Sequence, residues 1–534
     1  MVGIRCIRGV AAFVLLTSLA LAVRAQPQVG PVDPAFAPVD QAVNGYLARY
    51  GQPGASVVVA YDDRIVYAQG YGVADRARSL PMSPWLEHRL AQVSKTFTAA
   101  LILRLVEKGR LSLDAFAWDF IRFQVAFLPA DNRIRQVTVR HLLTSTWGLD
   151  RAAGGTDIAG GYYVDSGGFT RTSAREQIEK WLLDGRLNFD PGARHADNDI
   201  GYLWLQWIAE LVDGRSIDAQ LAELLGPEAL SSGRVRVGNV LPAQITEGEA
   251  TYHDVPGAAQ VTPIPKLYAA PEPARVARPY GSYTLEGYGG AAGLVASALT
   301  VTRFVQRLQG IRLPALLQPA TWAQMQAEQT PADGTRNVGL GVETLPALAG
   351  SADRAVRYQG SLPGTRAGWV STPRVTGGKR LTVVALVNGS RVWRGDPGAA
   401  TDDLQAELLT PILSALDGIG ATVYAAKPEI AGDRLIAWDT PTEAYFADLL
   451  LDWGQITFPD LLKGAPPSLT WNGYRYRYYE PTQTYVGIKQ GRVYLYQPAS
   501  SPDIQPLPAI GDYLPQAMRD LQGRRPLAAT ASPR

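Results

Sequence analysis

The stretch HRLAQVSKTFTAALILRLVEKGRLSLD, residues 88–114, is where this sequence comes nearest to a nucleophile. A serine three residues before a lysine on a helix shares a face with it, about one turn apart, so a desolvated, neutral lysine can take the hydroxyl proton. The lysine is present as Lys95, in a chain whose basic residues are overwhelmingly arginine, but the serine position holds Gln92. An amide does not attack a carbonyl as an alkoxide does. Ser94 lies two residues along and so points away from the face shared by Gln92 and Lys95, and Thr96 has no evident base.

Two further stretches hold chemically capable side chains. HADNDIGY (195–202) brings His195, Asp197 and Asp199 together, and YQGSLPGT (358–365) contributes Tyr358, Gly360 and Ser361. His195 would serve as a pocket base or a peptide contact, against the plainer reading of a loop histidine, which the sequence favours. Asp197, Asp199 and His195 have the residue types of a metal site, but their i, i+2, i+4 spacing on a loop is not diagnostic, so neither metal nor other cofactor is expected. Ser361, like Thr96, lacks an evident base. His141, inside VTVRHLLTSTWGL, reads as structural.

The elements that must position these groups are legible in outline. GASVVVAYDDRIVYAQGYG (54–72) gives two β-rich runs around Asp62-Asp63, a hairpin. Phe97, Leu101 and Leu105, flanked by Ile102 and Val106, make an apolar helix stripe that Gly109 stops. Ser173 with Glu176 is a capping-box pattern opening a helix that ends at Gly185. Residues 254–287, dense in Pro, Ala and Gly, read as a long surface loop or small lid, and 289–310 as a Gly-rich turn entering a buried helix. AVRYQGSLPGTRAGWVST and RLTVVALVNGS read as adjacent strands, the second almost wholly apolar and therefore central. Past residue 420, Asn472-Gly473 and Lys489-Gln490-Gly491 mark hairpin turns in a β-rich module. Along it Tyr474, Tyr476 and Tyr478 alternate with Arg475 and Arg477, placing the tyrosines on one face, read as a core face rather than a stacking surface for sugar or peptide.

Taken in order, PGASVVVAYDDRIVYAQGYGVAD, the 88–114 stretch, VTVRHLLTSTWGL, PGARHADNDIGY, YGGAAGLVASALTVTRFVQ, VGLGVE, YQGSLPGT and LTVVALVN resemble the class C β-lactamase-like serine hydrolases, which include D-alanyl-D-alanine carboxypeptidases, esterases and penicillin-binding-protein relatives. The resemblance covers about residues 35–395. It implies an α+β fold (an α/β sandwich): an antiparallel sheet flanked by helices, with a helical subdomain and a pocket between them. A small C-terminal β-rich domain is added.

The same resemblance exposes three departures. The family's S-V-S-K motif aligns with Gln92-Val93-Ser94-Lys95, its Y-S-N with Asp197-Asn198-Asp199, and its H-T-G or K-T-G with Tyr358-Gln359-Gly360. Nucleophile, tyrosine base and the third motif's positive or titratable group are all replaced, while the surrounding frames persist. The resemblance implies an oxyanion hole made by the backbone N–H groups of Gln92 and Ser361, which substitution leaves in place. Lys95 on the pocket floor then needs a counter-charge, with Asp197 expected and Asp199 the second choice. These readings lead to a protein that has lost hydrolysis and binds a peptide-like or cell-wall-like ligand, or a protein partner. The alternative is an active esterase, peptidase or β-lactamase-type hydrolase with a relocated nucleophile.

Bulk properties bound the rest. The 534 residues, 46% hydrophobic and 19% charged, exceed a single core; with the domain that the resemblance implies over 35–415, a β-rich domain over 420–520 and a disordered tail over 521–534 are expected. A net charge of +2 gives no pull toward nucleic acid. Arg5 and Arg8 precede an apolar run from Gly9 to Ala22 and the triplet Val23-Arg24-Ala25, a secretory signal over 1–25 too short to span a bilayer as a helix. The expected location is secreted, in the periplasm, with no stable membrane span once the signal is removed. The only cysteine, Cys6, lies in that signal, so the mature chain would have no disulfide.

Overall fold

The computed structural model describes residues 28–29, then 33–427 apart from 78–79, 151–172, 226–234, 246–247, 256, 264–272, 336, 346–353, 374–378 and 391–402, and four strands between 468 and 496. The expected signal over 1–25, with Cys6, and the expected tail over 521–534 fall outside the described residues. No described helix is long and apolar enough to cross a membrane.

Strand Arg380–Val387 lies near the centre of an eight-stranded sheet, antiparallel throughout its main path, with Gly54–Tyr61 on one side and Thr365–Pro373 on the other. Its sequence RLTVVALV explains the position: Leu381, Val383, Ala385 and Val387 enter one core, while Val384 and Leu386 enter the other. A strand apolar on both faces requires helices on both. Helices Ala37–Tyr50 and Thr410–Asp417 cover the first face. Helices Ser94–Glu107 and Ala298–Leu308 cover the second, joined by the stacked rings of Phe97 and Phe304 at 3.7 Å. Beyond Gly54–Tyr61 the sheet continues to Arg64–Asp75, the hairpin partner, with Asp62 at φ 61° in the turn. On the other side it ends at Val356–Leu362 and the short Glu343–Thr344.

The helical part forms around Ile200–Asp213, where Trp147 meets Trp181 and Trp204 edge-on at 4.9 and 6.2 Å. Helix Ala174–Asp184 packs there too; its start has the reciprocal Ser173–Glu176 capping box expected from sequence.

A three-stranded sheet of Glu87–Arg89, Leu294–Ser297 and Arg236–Val237 has no counterpart in the sequence reading. From it the fully buried Arg89 donates to the carbonyls of Pro279 (2.8 Å), Asn239 (3.2 Å) and Val240 (3.1 Å) and to the Tyr283 hydroxyl (2.8 Å), with its guanidinium 4.0 Å from the Tyr252 ring centre. These contacts alter the picture of 254–287. Its described residues contain the turn Arg278–Tyr280 and an antiparallel bridge between Val261 and Val276, and their C-terminal end is pulled inward, burying Tyr283 and Leu285. A buried guanidinium needs acceptors, and the carbonyls of Asn239, Val240 and Pro279 supply them.

The C-terminal strands Ser468–Trp471, Tyr474–Tyr479, Thr484–Lys489 and Arg492–Tyr496 form an antiparallel meander. Trp471 pairs with Tyr474 and Lys489 with Arg492, so both predicted turns fall between paired strands.

Candidate functional site

Gln92 sits in the 3-10 turn Ala91–Val93, directly before helix Ser94–Glu107. The turn departs from the preceding strand through Ala91 at φ 46°, a left-handed conformation that a residue with a Cβ adopts at a cost of about 1–2 kcal/mol. This bend aims the Gln92 side chain at the edge of strand Val356–Leu362. There its Oε1 accepts from the Ser361 N–H at 3.0 Å, and its Nε2 donates to Asp199 Oδ2 at 3.1 Å. Only one amide orientation satisfies both neighbours, because a backbone N–H only donates and a carboxylate only accepts. Gly360 permits the approach: a Cβ there would lie 2.3 Å from the Gln92 backbone nitrogen and 2.6 Å from its Oε1.

The structure therefore corrects one expectation. The Ser361 N–H, which the resemblance assigns to an oxyanion hole, does not stand open for a ligand; the replaced residue fills it with its own carbonyl oxygen. The sequence reading treated the backbone donor as untouched by substitution, which overlooked that glutamine is long enough to reach it.

Lys95 is fully buried behind Gln92. Its Nζ lies 2.7 Å from Asp197 Oδ1 and 2.9 Å from Asp199 Oδ1, and donates to the Asn198 carbonyl at 2.9 Å. Both carboxylates pair with it, where the sequence reading expected Asp197 first. Burial alone would lower the Lys95 pKa, but the fields of Asp197 and Asp199 outweigh it and raise the pKa above the ordinary lysine value. Such a lysine is a cation and not a base. Asn198 fixes the loop that carries both carboxylates: its Oδ1 accepts from Trp147 Nε1 at 2.9 Å and from the Gly201 N–H at 3.1 Å, and its Nδ2 donates to the carbonyls of Ala196 and Leu149. Asp199 is 1% exposed, whereas the Asp197 side chain is 47% exposed and borders a cavity.

That cavity, of about 460 Å³, lies between the helical part and the sheet edge. It brings together Gln92, Asp197, Tyr358, Gly360 and Ser361 from the sequence-predicted set, while Lys95 and Asp199 stand behind its wall. His195 also faces it, where the sequence favoured an ordinary loop histidine. Burial lowers the His195 pKa, with Asp197 opposing. Gln359, in the middle of the third motif, bonds toward Asp403 (3.0 Å) and the Gln405 N–H (2.9 Å).

Sequence reasoning missed Ser145 at φ 53°, Asn337 at φ 69°, and the Arg357–Glu343 ion pair at 2.7 Å, all on the cavity wall. No composition or spacing signals a positive φ at serine, although Ser145 lies within VTVRHLLTSTWGL. Of the relocated-nucleophile candidates, Ser361 lines the cavity, while Ser94 and Thr96 are occupied. Ser94 is buried, donating to the Ala91 carbonyl (2.7 Å) and accepting from the Leu294 N–H (3.1 Å); Thr96 donates to the Gly341 carbonyl (3.1 Å). His141 closes a capping box with Thr138, the structural role expected of it. Among the described residues no cluster of His, Cys, Asp and Glu could hold a metal.

Comparison with known proteins fits this geometry into a wider group. A family model described as beta-lactamase matches residues 39–407. Esterase EstB of Burkholderia gladioli is 30% identical over 334 residues, 57% of this chain and 79% of that protein. Among solved structures, a class C beta-lactamase superposes with a TM-score of 0.53 at 19% identity, over 72% of this chain and 97% of that one. EstCE1, a hydrolase with promiscuous acyltransferase activity, gives 0.52 at 20% identity, over 72% and 99%. At these identities the two structures speak for the fold alone.

Proposed function

Because this chain belongs to the beta-lactamase family, we propose that it keeps the family's serine-hydrolase scaffold as a secreted, periplasmic binding protein that has lost acyl transfer and holds a peptide-like or cell-wall-like ligand, or a protein partner, in the cavity beside Gln92. One observation carries the reading. The Gln92 amide stands where a nucleophile would, and its two ends are spent on the Ser361 N–H and on Asp199. Substitution removes the attacking oxygen; the amide's reach also fills one of the two donors that would stabilise a tetrahedral oxyanion. The paired Lys95 ammonium supplies no base. Loss of the nucleophile in an activated-serine system costs on the order of a million-fold in turnover, and a filled hole adds to that.

A second reading, an active esterase or peptidase with a relocated nucleophile, draws support from the 30% identity to an esterase. One experiment decides between them. The mature protein is treated with a fluorescent β-lactam and a fluorophosphonate, beside a Gln92→Ser/Asp197→Tyr/Tyr358→His variant. Labelling confined to the variant supports the binding reading, and stoichiometric labelling of the unaltered protein overturns it.

A further inference from the structure

A second cavity, of about 430 Å³, lies at the far end of the helix that Gln92 leads into, and shares no lining residue with the first. Leu101, Arg104, Leu105 and Lys108 line it at i, i+3, i+4 and i+7, one face of that helix and its C-terminal cap. Opposite stand Leu224 and Leu225, at the end of helix Ile217–Leu225, and Leu316. Arg307, from helix Ala298–Leu308, ties these walls together. Buried at 6% exposure, it donates from Nε to the Pro314 carbonyl at 2.8 Å and from Nη1 to the Leu225 carbonyl at 2.6 Å.

The lining is divided in chemistry. Its body is aliphatic, whereas its rim carries Arg104, Lys108 and Arg215 beside Asp213 and Glu223. Arg215 holds both carboxylates, lying 2.6 Å from Asp213 and pairing also with Glu223. Arg104, 41% exposed, gives only Nη1 to Glu107, at 3.2 Å; Lys108, equally exposed, has Glu223 at 3.6 Å, past hydrogen-bond reach. Two cations one helical turn apart therefore keep donors for a further anion. An aliphatic cavity gains from enclosing a hydrocarbon chain, and at this rim a carboxylate head meets Arg104 and Lys108 where an ammonium head would meet like charge. We infer that the cavity binds an alkyl carboxylate, a fatty-acid-like molecule of medium chain length, with its tail among Leu101, Leu105, Leu224 and Leu316 and its head at Arg104 and Lys108. The volume of about 430 Å³ suits one, since pockets for small molecules run from about 300 to 1,000 Å³. This site is independent of the cavity beside Gln92 and of whether the chain hydrolyses anything.

The test is calorimetric titration of the full chain with decanoate, hexanoate and decyltrimethylammonium, each kept below its micelle-forming concentration. Decanoate is expected to fill a single site, at least about tenfold tighter than hexanoate because its longer tail buries more methylenes. It should also bind at least about tenfold tighter than the cationic probe, a preference that added salt reduces. Arg104→Gln with Lys108→Gln, both on the exposed rim, should remove the preference for the anion and keep the dependence on chain length. Leu224→Asp, on the half-buried wall, should abolish decanoate binding, and the rim variant keeps the test sound if this one fails to fold. Equal or tighter binding of the cationic probe, no gain from the longer chain, no binding of decanoate up to its micelle-forming concentration, or decanoate binding unchanged by the rim substitutions overturns the inference.

Discussion

Two buried cations stand on either side of Gln92, and the protein holds them in opposite ways. Arg89 is gripped by backbone carbonyls, a tyrosine hydroxyl and an aromatic face, all neutral and drawn from segments far apart in sequence. Lys95 is gripped by two carboxylates and a carbonyl, all from the three consecutive residues 197–199. A planar guanidinium with five donors can bind several loops at once, while a compact ammonium concentrates its attraction on one. The Arg89 cluster is therefore scaffolding. The Lys95 cluster is a local charge balance.

The largest expected effects test that contrast directly. Arg89→Met and Lys95→Met should each cost about 3–5 kcal/mol in urea denaturation, the first by orphaning buried acceptors, the second by leaving buried Asp199 without a counter-charge. Adding Asp199→Asn to Lys95→Met should recover much of the loss, because one neutralisation repairs a local imbalance. Adding Glu249→Gln to Arg89→Met should recover nothing, because the lost partners are carbonyls. Equal behaviour of the two double variants would erase the distinction.

The strand that carries Arg89 and the Lys95 cluster should also lose stability at opposite ends of the pH scale. His88, next to Arg89 and fully buried, has its pKa pushed down by burial to about 3. Unfolded chains bind a proton there near the ordinary value of about 6.5, so stability is whole above that pH and is lost as pH falls toward 3. A thermal-unfolding profile should show this acid loss, and His88→Gln should flatten it. Lys95 has a raised pKa, so its contribution is fully present below the unfolded value of about 10.4 and is lost as pH rises through the folded one. Lys95→Met should flatten the alkaline limb.

Smaller effects sharpen the picture within the site. Gln92→Ala should cost about 1–3 kcal/mol by urea denaturation, since it strips partners from the Ser361 N–H and Asp199. Ser94→Ala should cost about 0.5–1.5 kcal/mol for its two backbone hydrogen bonds and leave reactivity toward the fluorophosphonate unchanged. A change in labelling with Ser94→Ala would identify Ser94 as a working nucleophile after all.

Patterns local in sequence were the legible ones. The hairpin at Asp62-Asp63, the Ser173–Glu176 cap, the glycine stop at Gly109 and the central strand ending at Val387 each depend on a few neighbouring residues, and each appears as read. The lysine–carboxylate pairing was also legible, because a buried charge has few ways to be satisfied. What escaped depends on contacts distant in sequence: the sheet around Arg89, the inward pull on Tyr283 and Leu285, and the cavity positions of Ser145 and Asn337. The Gln92–Ser361 contact escaped for the same reason. It needs the bend at Ala91 and the bare Cα of Gly360 to meet across the fold, and neither glutamine nor glycine announces its partner.

That contact has a mechanical side. Gln92 sits in the turn that leads into a helix and Ser361 lies on a strand edge, so their hydrogen bond is a tether across the seam between two layers, made by a side chain and renewed by no neighbouring ladder. The Ser361 amide proton can exchange with solvent only when the seam parts or the glutamine swings away. Its exchange rate is thus a gauge of how often the helix and the sheet edge separate, read at one atom in the middle of the wall where a ligand would sit.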